Sequence, residues 1–299
     1  MSELSRIDWS TVTLSVGQHA PSTQPPTMNV MEAHSTRRGQ AWSDAPADVS
    51  PVVRVFCLTW QDTPDGHHGP AIRAKFLRRE LAGQFDDTRA SIQQERHRAL
   101  VALDWLIRTY AVAWLRLVPA LVAHAERLAR VPPLAQAGSV VGSDMEAIED
   151  LAWDARDTAY DLGGPAEPRG VDRYAPWTAE RVAAWWAFHE AFHEAVSMAE
   201  WTAAGTAAAN AARLEEDCSD AAGAFLQAGE IAAYYVAETA AVDAAEPTAA
   251  GAAAGMALQP TIQRLQPSAW ALLDRLCASA PGEEVAPPVD SLETDASQA

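Results

Sequence analysis

The chain has 299 residues, 48% of them hydrophobic, and a formal net charge of −18. This length suffices for one large domain or two ordinary ones, with a sizeable core. The acidic excess argues against a general nucleic-acid binder and against docking on an anionic membrane surface. No stretch reaches ~18–20 uninterrupted apolar residues, which argues against a membrane span.

In chain order, residues 1–40 are rich in Ser, Thr, Gln and Pro and lack periodicity, which predicts a flexible arm. Residues 41–135 follow as a predicted N-terminal helical unit. Its first helix should begin with Ser50 as the N-cap and Pro51 at the first helical position. The arginines within 71–81 indicate an exposed basic helix, for which a phosphate site is the alternative interpretation.

The strongest helical signal runs over residues 88–130, where leucine and aromatic side chains recur every three or four positions. Pro119 should kink or end that helix. Within it, Asp104 and Arg108 are one helical turn apart, which predicts an ion pair rather than a functional site.

Residues 144–279 form a predicted alanine-rich helical unit, and an acidic tail rich in Pro and Ser over 280–299 is predicted to be disordered. Three glycines are expected to interrupt the helices of this unit: Gly205, Gly223 and Gly229. Alanine is the best helix former, and the eleven tryptophans supply the apolar area that it lacks. The expected fold class is therefore all-α, a helical bundle of alanine- and tryptophan-rich amphipathic helices with disordered N- and C-terminal tails.

The cysteines are odd in number, lie far apart and form no CxxC pair: Cys57, Cys218 and Cys277. Such a set predicts no disulfide framework and favours a reducing compartment. The N-terminal residues also lack the basic region and apolar stretch of a secretory signal. The expected localisation is therefore cytoplasmic.

Three blocks of the sequence occur in the order typical of a known family. The first block combines MEA at 31–33, WSDAP at 42–46, SPVV at 50–53 and WQD at 60–62. The second is LDWLIRTYAVAWL at 103–115, and the third is PTIQRLQPSAWALLDR at 260–275. Together they resemble an uncharacterised family of actinobacteria, other high-GC bacteria and actinobacterial phages. The resemblance spans residues 31–276, implies no activity, and suggests a phage- or mobile-element-associated protein.

One motif with catalytic character, HEAFH, lies at residues 189–193, where the family pattern is interrupted. His189 and His193 are one helical turn apart, so both imidazoles could bind one Zn²⁺. Glu190 would then be the general base that activates a metal-bound water. The same residues can equally form the solvated polar face of an amphipathic helix, and a non-catalytic metal site is a third interpretation.

A third zinc ligand is suggested by a second short motif, ExxSD, at residues 216–220. It is similar to the element of thermolysin-like gluzincins in which the Glu binds zinc and the Asp orients a ligand histidine. The similarity implies that Glu216 is a metal ligand and that Asp220 supports one of the histidines.

Two functional hypotheses follow from the sequence. The first is a non-enzymatic helical interaction or structural protein, whose partner would be another protein. The alternative is a zinc-dependent hydrolase of the metallopeptidase type that uses HEAFH with Glu216. Zinc is the one cofactor that any motif implies, and the oligomeric state stays open.

Overall fold

A computed structural model describes residues 7–21, 27–62, 69–134, 142–162, 178, 202–244 and 249–278. The tail predicted over 280–299 lies outside these residues. Helices dominate the described chain, as the predicted all-α class requires, and its strands are limited to one parallel pair of two-residue segments. In these same ranges, no helix combines the length and the apolar character needed to cross a membrane.

The elements are labelled in chain order. The strands and the first helices are β1 (Thr13–Leu14), β2 (Thr27–Met28), α1 (Val30–Arg37), α2 (Pro51–Gln61), α3 (Gly69–Leu81) and α4 (Ile92–Trp105). A π-helical turn (Leu106–Ala111) then leads into α5 (Val112–Leu115), and a 3₁₀ turn (Pro119–Leu121) into α6 (Val122–Ala129). The remaining elements are α7 (Gly142–Leu162), α8 (Ala203–Ala212), a 3₁₀ turn (Glu216–Cys218), α9 (Ser219–Val242) and α10 (Ala250–Ala278).

Local sequence signals place several helix ends. The Ser50 hydroxyl accepts a hydrogen bond from the Val53 N–H at 3.3 Å, and Pro51 occupies the first helical position, which confirms the predicted start of α2. The long helix predicted over residues 88–130 is interrupted near Pro119, as a proline inside a helix requires. α5 ends at Leu115, and Pro119 begins a 3₁₀ turn.

The predicted ion pair between Asp104 and Arg108 is confirmed, with 3.2 Å between Oδ1 and Nε. Both side chains are nearly buried, and the Leu134 N–H donates to the same carboxylate oxygen at 3.1 Å. Burial raises the pKa of Asp104 against the opposing charge of Arg108. The Asp104 carboxylate thus connects the chain beyond α6 to the end of α4.

One hydrophobic core joins helices from both predicted units. α8 packs against α2 and α4, whereas α9 packs against the π-helical turn, α5, α7 and α10. Most buried residues of α8 and α9 are alanines, so these helices can approach their neighbours closely. The described parts of residues 41–135 and 144–279 therefore share an interior.

The glycines of the alanine-rich region lie inside helices, so the prediction that they interrupt the helices is wrong. Gly205 of α8 and Gly229 of α9 both face the ring of Tyr110. A Cβ atom would lie 2.4 Å from Tyr110 Cε2 at position 205, and 2.6 Å from Cε1 at position 229. These glycines are present because the tyrosine ring fills the space that a side chain would occupy.

An aromatic cluster fixes α10 to α2 and α3. The ring of Trp270 lies 4.3 Å from that of Trp60 and 4.8 Å from that of Phe76, measured between centroids. Two cations also contact it, since Lys75 Nζ and Arg79 Cζ lie 4.4 Å and 4.8 Å from the ring centroid. α10 begins at Ala250, so Trp270 lies in the second half of this helix.

The segment predicted as a flexible arm is anchored in its described part. Glu32 is fully buried, and its carboxylate accepts hydrogen bonds from the backbone N–H groups of His19 at 2.7 Å and Asn29 at 2.8 Å. The side chain of Gln61 donates to the carbonyl of Ser15 at 3.1 Å. Composition predicted an arm because the polar residues that cap helices and close turns are also those of disordered segments.

Candidate functional site

The residues of the predicted gluzincin-type site fall only partly within the described chain. Three lie outside it: His189, Glu190 and His193. Glu216 opens the 3₁₀ turn before α9 and Asp220 lies in the first turn of α9, both with exposed side chains. The zinc-hydrolase site therefore stays a prediction.

A different group of ionisable side chains lies between α1, the turn after α3 and the start of α2. His34, Glu80 and Asp86 each offer one ligand atom, and these atoms all lie within 4.8 Å of one another. The side chains of His34 and Glu80 are fully buried, whereas that of Asp86 is 26% exposed. We refer to these residues and their ion-pair partners as the His34 cluster: His34, Arg37, Arg38, Asp48, Glu80, Asp86 and Asp87.

A capping box starts α1 and thereby orients the histidine. The side chain of Asn29 accepts hydrogen bonds from the N–H groups of Met31 and Glu32, while the Glu32 carboxylate accepts the Asn29 N–H. Because the helix is fixed from its first turn, His34 and Arg37 lie one turn apart and both reach α3.

A glycine turn brings the two carboxylates together. α3 ends at Leu81, and Gly83 follows with a φ of +76°, the left-handed conformation that favours glycine at a helix C-terminus. The Gly83 N–H donates to the Glu80 carbonyl at 2.8 Å, so the chain turns back immediately. Asp86 consequently comes to the same side of His34 as Glu80.

His34 lies between carboxylates on both sides of its ring. Its Nδ1 is 3.0 Å from Glu80 Oε2 and 3.8 Å from Asp86 Oδ1, and its Nε2 is 3.2 Å from both oxygens of Asp48. Burial by itself would lower the pKa of His34, but the hydrogen bonds and charges of Glu80 and Asp48 outweigh it and raise the pKa. A protonated His34 can donate to both partners at once.

Arg37 shares its two acidic partners with His34. Its Nε donates to Glu80 Oε1 at 2.5 Å, and its Nη2 donates to Asp86 Oδ1. The arginine side chain is 22% exposed, so it reaches the buried carboxylate from the solvent side. A cation therefore already bridges the two carboxylates.

Arg38 holds the outer rim of the cluster. It donates to Asp48 at 3.3 Å and to the exposed Asp87 at 3.0 Å. Two arginines and one histidine thus face four carboxylates, which outnumber the cations even when His34 is protonated. This excess of negative charge around a buried imidazole suits either a structural ion network or a site for a divalent cation.

A second surface of interest is the outer face of α7. Trp153 and Tyr160 are 37% and 71% exposed, and acidic residues lie at helical spacing along the same side. Burial, followed by the charges of Asp220 and other nearby acids, raises the pKa of Glu149. We call this set the acidic–aromatic surface: Glu146, Glu149, Asp150, Trp153, Asp157, Tyr160 and Asp220.

None of the three cysteines is activated as a nucleophile. Burial raises the pKa of Cys57 well above its ordinary value and raises those of Cys218 and Cys277 to about 12. The thiolate is the reacting species, so we expect the native protein at pH 8 to react with Ellman's reagent at least about 100-fold more slowly than the chain in guanidinium. A thiol that reacts rapidly in the native protein would contradict this expectation.

No protein-family model, no curated protein and no solved structure matches the chain.

Proposed function

We propose that this protein is a non-enzymatic helical interaction protein that binds a basic protein partner on the acidic–aromatic surface. The observation that carries the proposal is the exposure of Trp153 and Tyr160 on the helix face that also carries the acids of α7. Exposed tryptophan and tyrosine provide apolar contact area together with a polar group, and both are enriched at protein interfaces.

Repulsion among the acids favours a cationic partner. The pKa of Glu149 is raised by burial and by the negative charges of Asp220, Glu146 and Asp150, so these carboxylates disfavour one another's ionised forms. Lysine or arginine side chains of a partner would remove that cost while accelerating the encounter electrostatically. The overall charge of −18 would act in the same direction at longer range.

The contacts of Arg156 support a partner rich in arginine. Its guanidinium carbon lies 4.2 Å from the centroid of the Trp153 ring, and its Nη2 is 2.7 Å from Asp157 Oδ1. The surface thus already accommodates a guanidinium between an aromatic ring and a carboxylate. A partner's arginine could use the same combination at the neighbouring acids and at Tyr160.

A charge-reversal experiment tests the proposal. The probe is a fluorescent nona-arginine peptide, with nona-glutamate as the negative control, and binding is followed by anisotropy at low and at physiological salt. We expect the Glu146→Lys/Asp150→Lys protein to bind the arginine peptide at least about tenfold more weakly than the unmodified protein. Trp153→Ala should weaken binding as well, because it removes the stacking ring.

The matched control carries the same change in net charge on residues that do not belong to this surface. Asp8→Lys/Asp243→Lys alters two exposed acids, one in the N-terminal segment and one at the opposite end of α9 from Asp220. Unchanged binding by this control, at equal ionic strength, is the expected result. Equal losses in both double variants would mean that net charge alone attracts the peptide, and the docking surface would then be rejected.

A further inference from the structure

We propose that the His34 cluster is a site for a divalent transition-metal ion, with zinc the preferred ion. The protein ligands are His34 Nδ1 and one oxygen each of Glu80 and Asp86, and Arg37 neutralises the same carboxylates when the ion is absent. The site shares no residue with the acidic–aromatic surface, so it does not depend on the proposed function.

The distances between the ligand atoms fit a metal centre. With metal–ligand bonds of about 2.0–2.2 Å, two ligands of a tetrahedral ion lie roughly 3.3–3.6 Å apart. His34 Nδ1 lies 3.0 Å from Glu80 Oε2 and 3.8 Å from Asp86 Oδ1, on either side of that separation. The third separation, between the Glu80 and Asp86 oxygens, is within 4.8 Å. Side-chain shifts of about an ångström would therefore bring the three ligand atoms to tetrahedral spacing.

The donor set selects the kind of ion. One imidazole nitrogen with two carboxylate oxygens suits zinc and its neighbours in the first transition row, whereas calcium and magnesium prefer oxygen alone. Three protein ligands leave a fourth position for water, and the partial exposure of Asp86 gives the site access to solvent.

Asp48 supplies the support that metal-bound histidines usually have. It lies 3.2 Å from His34 Nε2, on the opposite side of the ring from the two carboxylate ligands. A carboxylate there accepts the Nε2 proton and so keeps Nδ1 deprotonated and directed at the ion. The Arg38 side chain in turn holds Asp48 at 3.3 Å.

Arg37 acts as the competitor of the ion. It reaches both ligand carboxylates, with its Nε 2.5 Å from Glu80 Oε1 and its Nη2 on Asp86 Oδ1. A divalent cation between these oxygens would repel the guanidinium, and the partly exposed side chain can move into solvent. Removal of the arginine should therefore strengthen metal binding, an effect that general damage to the fold would not produce.

Zinc titration of the full-length, chelator-treated chain tests the site, with calorimetry for affinity and Co²⁺ absorption for ligand geometry. We expect one zinc ion, at least about tenfold weaker binding for Asp86→Asn and about 10–100-fold weaker binding for Asp48→Asn. Arg37→Gln should bind more tightly and gain a larger rise in Tm on adding zinc. The matched control is Asp87→Asn, since this residue of the same turn pairs with Arg38 at the rim and should leave affinity unchanged.

A second variant distinguishes zinc bound at the His34 cluster from zinc bound at the HEAFH motif. His189→Ala should retain the zinc ion if it occupies the His34 cluster. Zinc that is lost in His189→Ala but retained in Asp86→Asn would overturn the proposal in favour of the gluzincin-type site. Absence of zinc binding by the unmodified chain, or equal affinity in the unmodified, Asp86→Asn and Arg37→Gln proteins, would overturn it as well.

Discussion

Gly205→Ala is expected to destabilise the protein by about 3 kcal/mol or more, although alanine is the better helix former. The new methyl group would lie 2.4 Å from Tyr110 Cε2 and 2.5 Å from Cζ. The ring cannot move away, because a fully buried Tyr110 has Gly229 closely packed against its other edge. The backbone of α8 or of the π-helical turn must then shift and disturb a close-packed core.

Thermal unfolding followed by circular dichroism measures the effect, and we expect Tm to fall by roughly 5 °C or more. The matched control is Gly255→Ala within α10, where an added Cβ meets no atom within 4 Å. That change should stabilise the protein by about 0.5–1 kcal/mol through helix propensity and lower unfolded-state entropy. Replacing Tyr110 by leucine should reduce the cost of Gly205→Ala, and equal Tm shifts for the two glycine variants would contradict the packing argument.

Local signals in the sequence were sufficient for the fold class and for several element boundaries. Ser50 followed by Pro51 marks the start of α2, and Pro119 divides the long helical segment, because each acts through its own backbone. The ion pair between Asp104 and Arg108 was predictable for the same reason, since helical spacing alone brings the two side chains together.

The role of the glycines could not be read from the sequence. A glycine that ends a helix and a glycine that admits a neighbouring ring occur in the same alanine-rich context. Gly205 and Gly229 differ from helix-ending glycines in their close contact with Tyr110, which approaches them from a distant part of the chain. Composition gives no information about such long-range packing.

The His34 cluster was missed for a related reason. Polar composition predicted an arm over residues 1–40, although Asn29 followed by Glu32 at the third helical position is a capping-box signal that indicates α1. That signal would have located the helix, but not the site. The carboxylates of Glu80 and Asp86 meet the imidazole only because the turn at Gly83 reverses the chain.

Trp270→Ala is the second substitution for which we expect a large effect, a loss of about 3–5 kcal/mol in the free energy of unfolding. The indole ring is 6% exposed and contacts Trp60 and Phe76 from α2 and α3. It also lies against the cations of Lys75 and Arg79, contacts worth about 0.5–2 kcal/mol each. Its removal leaves a cavity where α10 joins the N-terminal helices. Trp153→Ala is the control, since that ring is 37% exposed and should cost about 1 kcal/mol or less.

Cleavage by a lysine-specific endoprotease provides a local measurement of the same contact. Lys75 is the only lysine of the chain, and its ammonium lies 4.4 Å from the Trp270 ring centroid, so the protease reports the opening of α3 at one position. When opening is in rapid equilibrium, a loss of about 3 kcal/mol raises the cleavage rate roughly 100-fold. The Trp270→Ala protein should therefore be cut rapidly after residue 75, while Trp153→Ala is cut about as slowly as the unmodified chain. Equal cleavage rates for the two tryptophan variants would mean that α10 is held to α3 by contacts other than this ring.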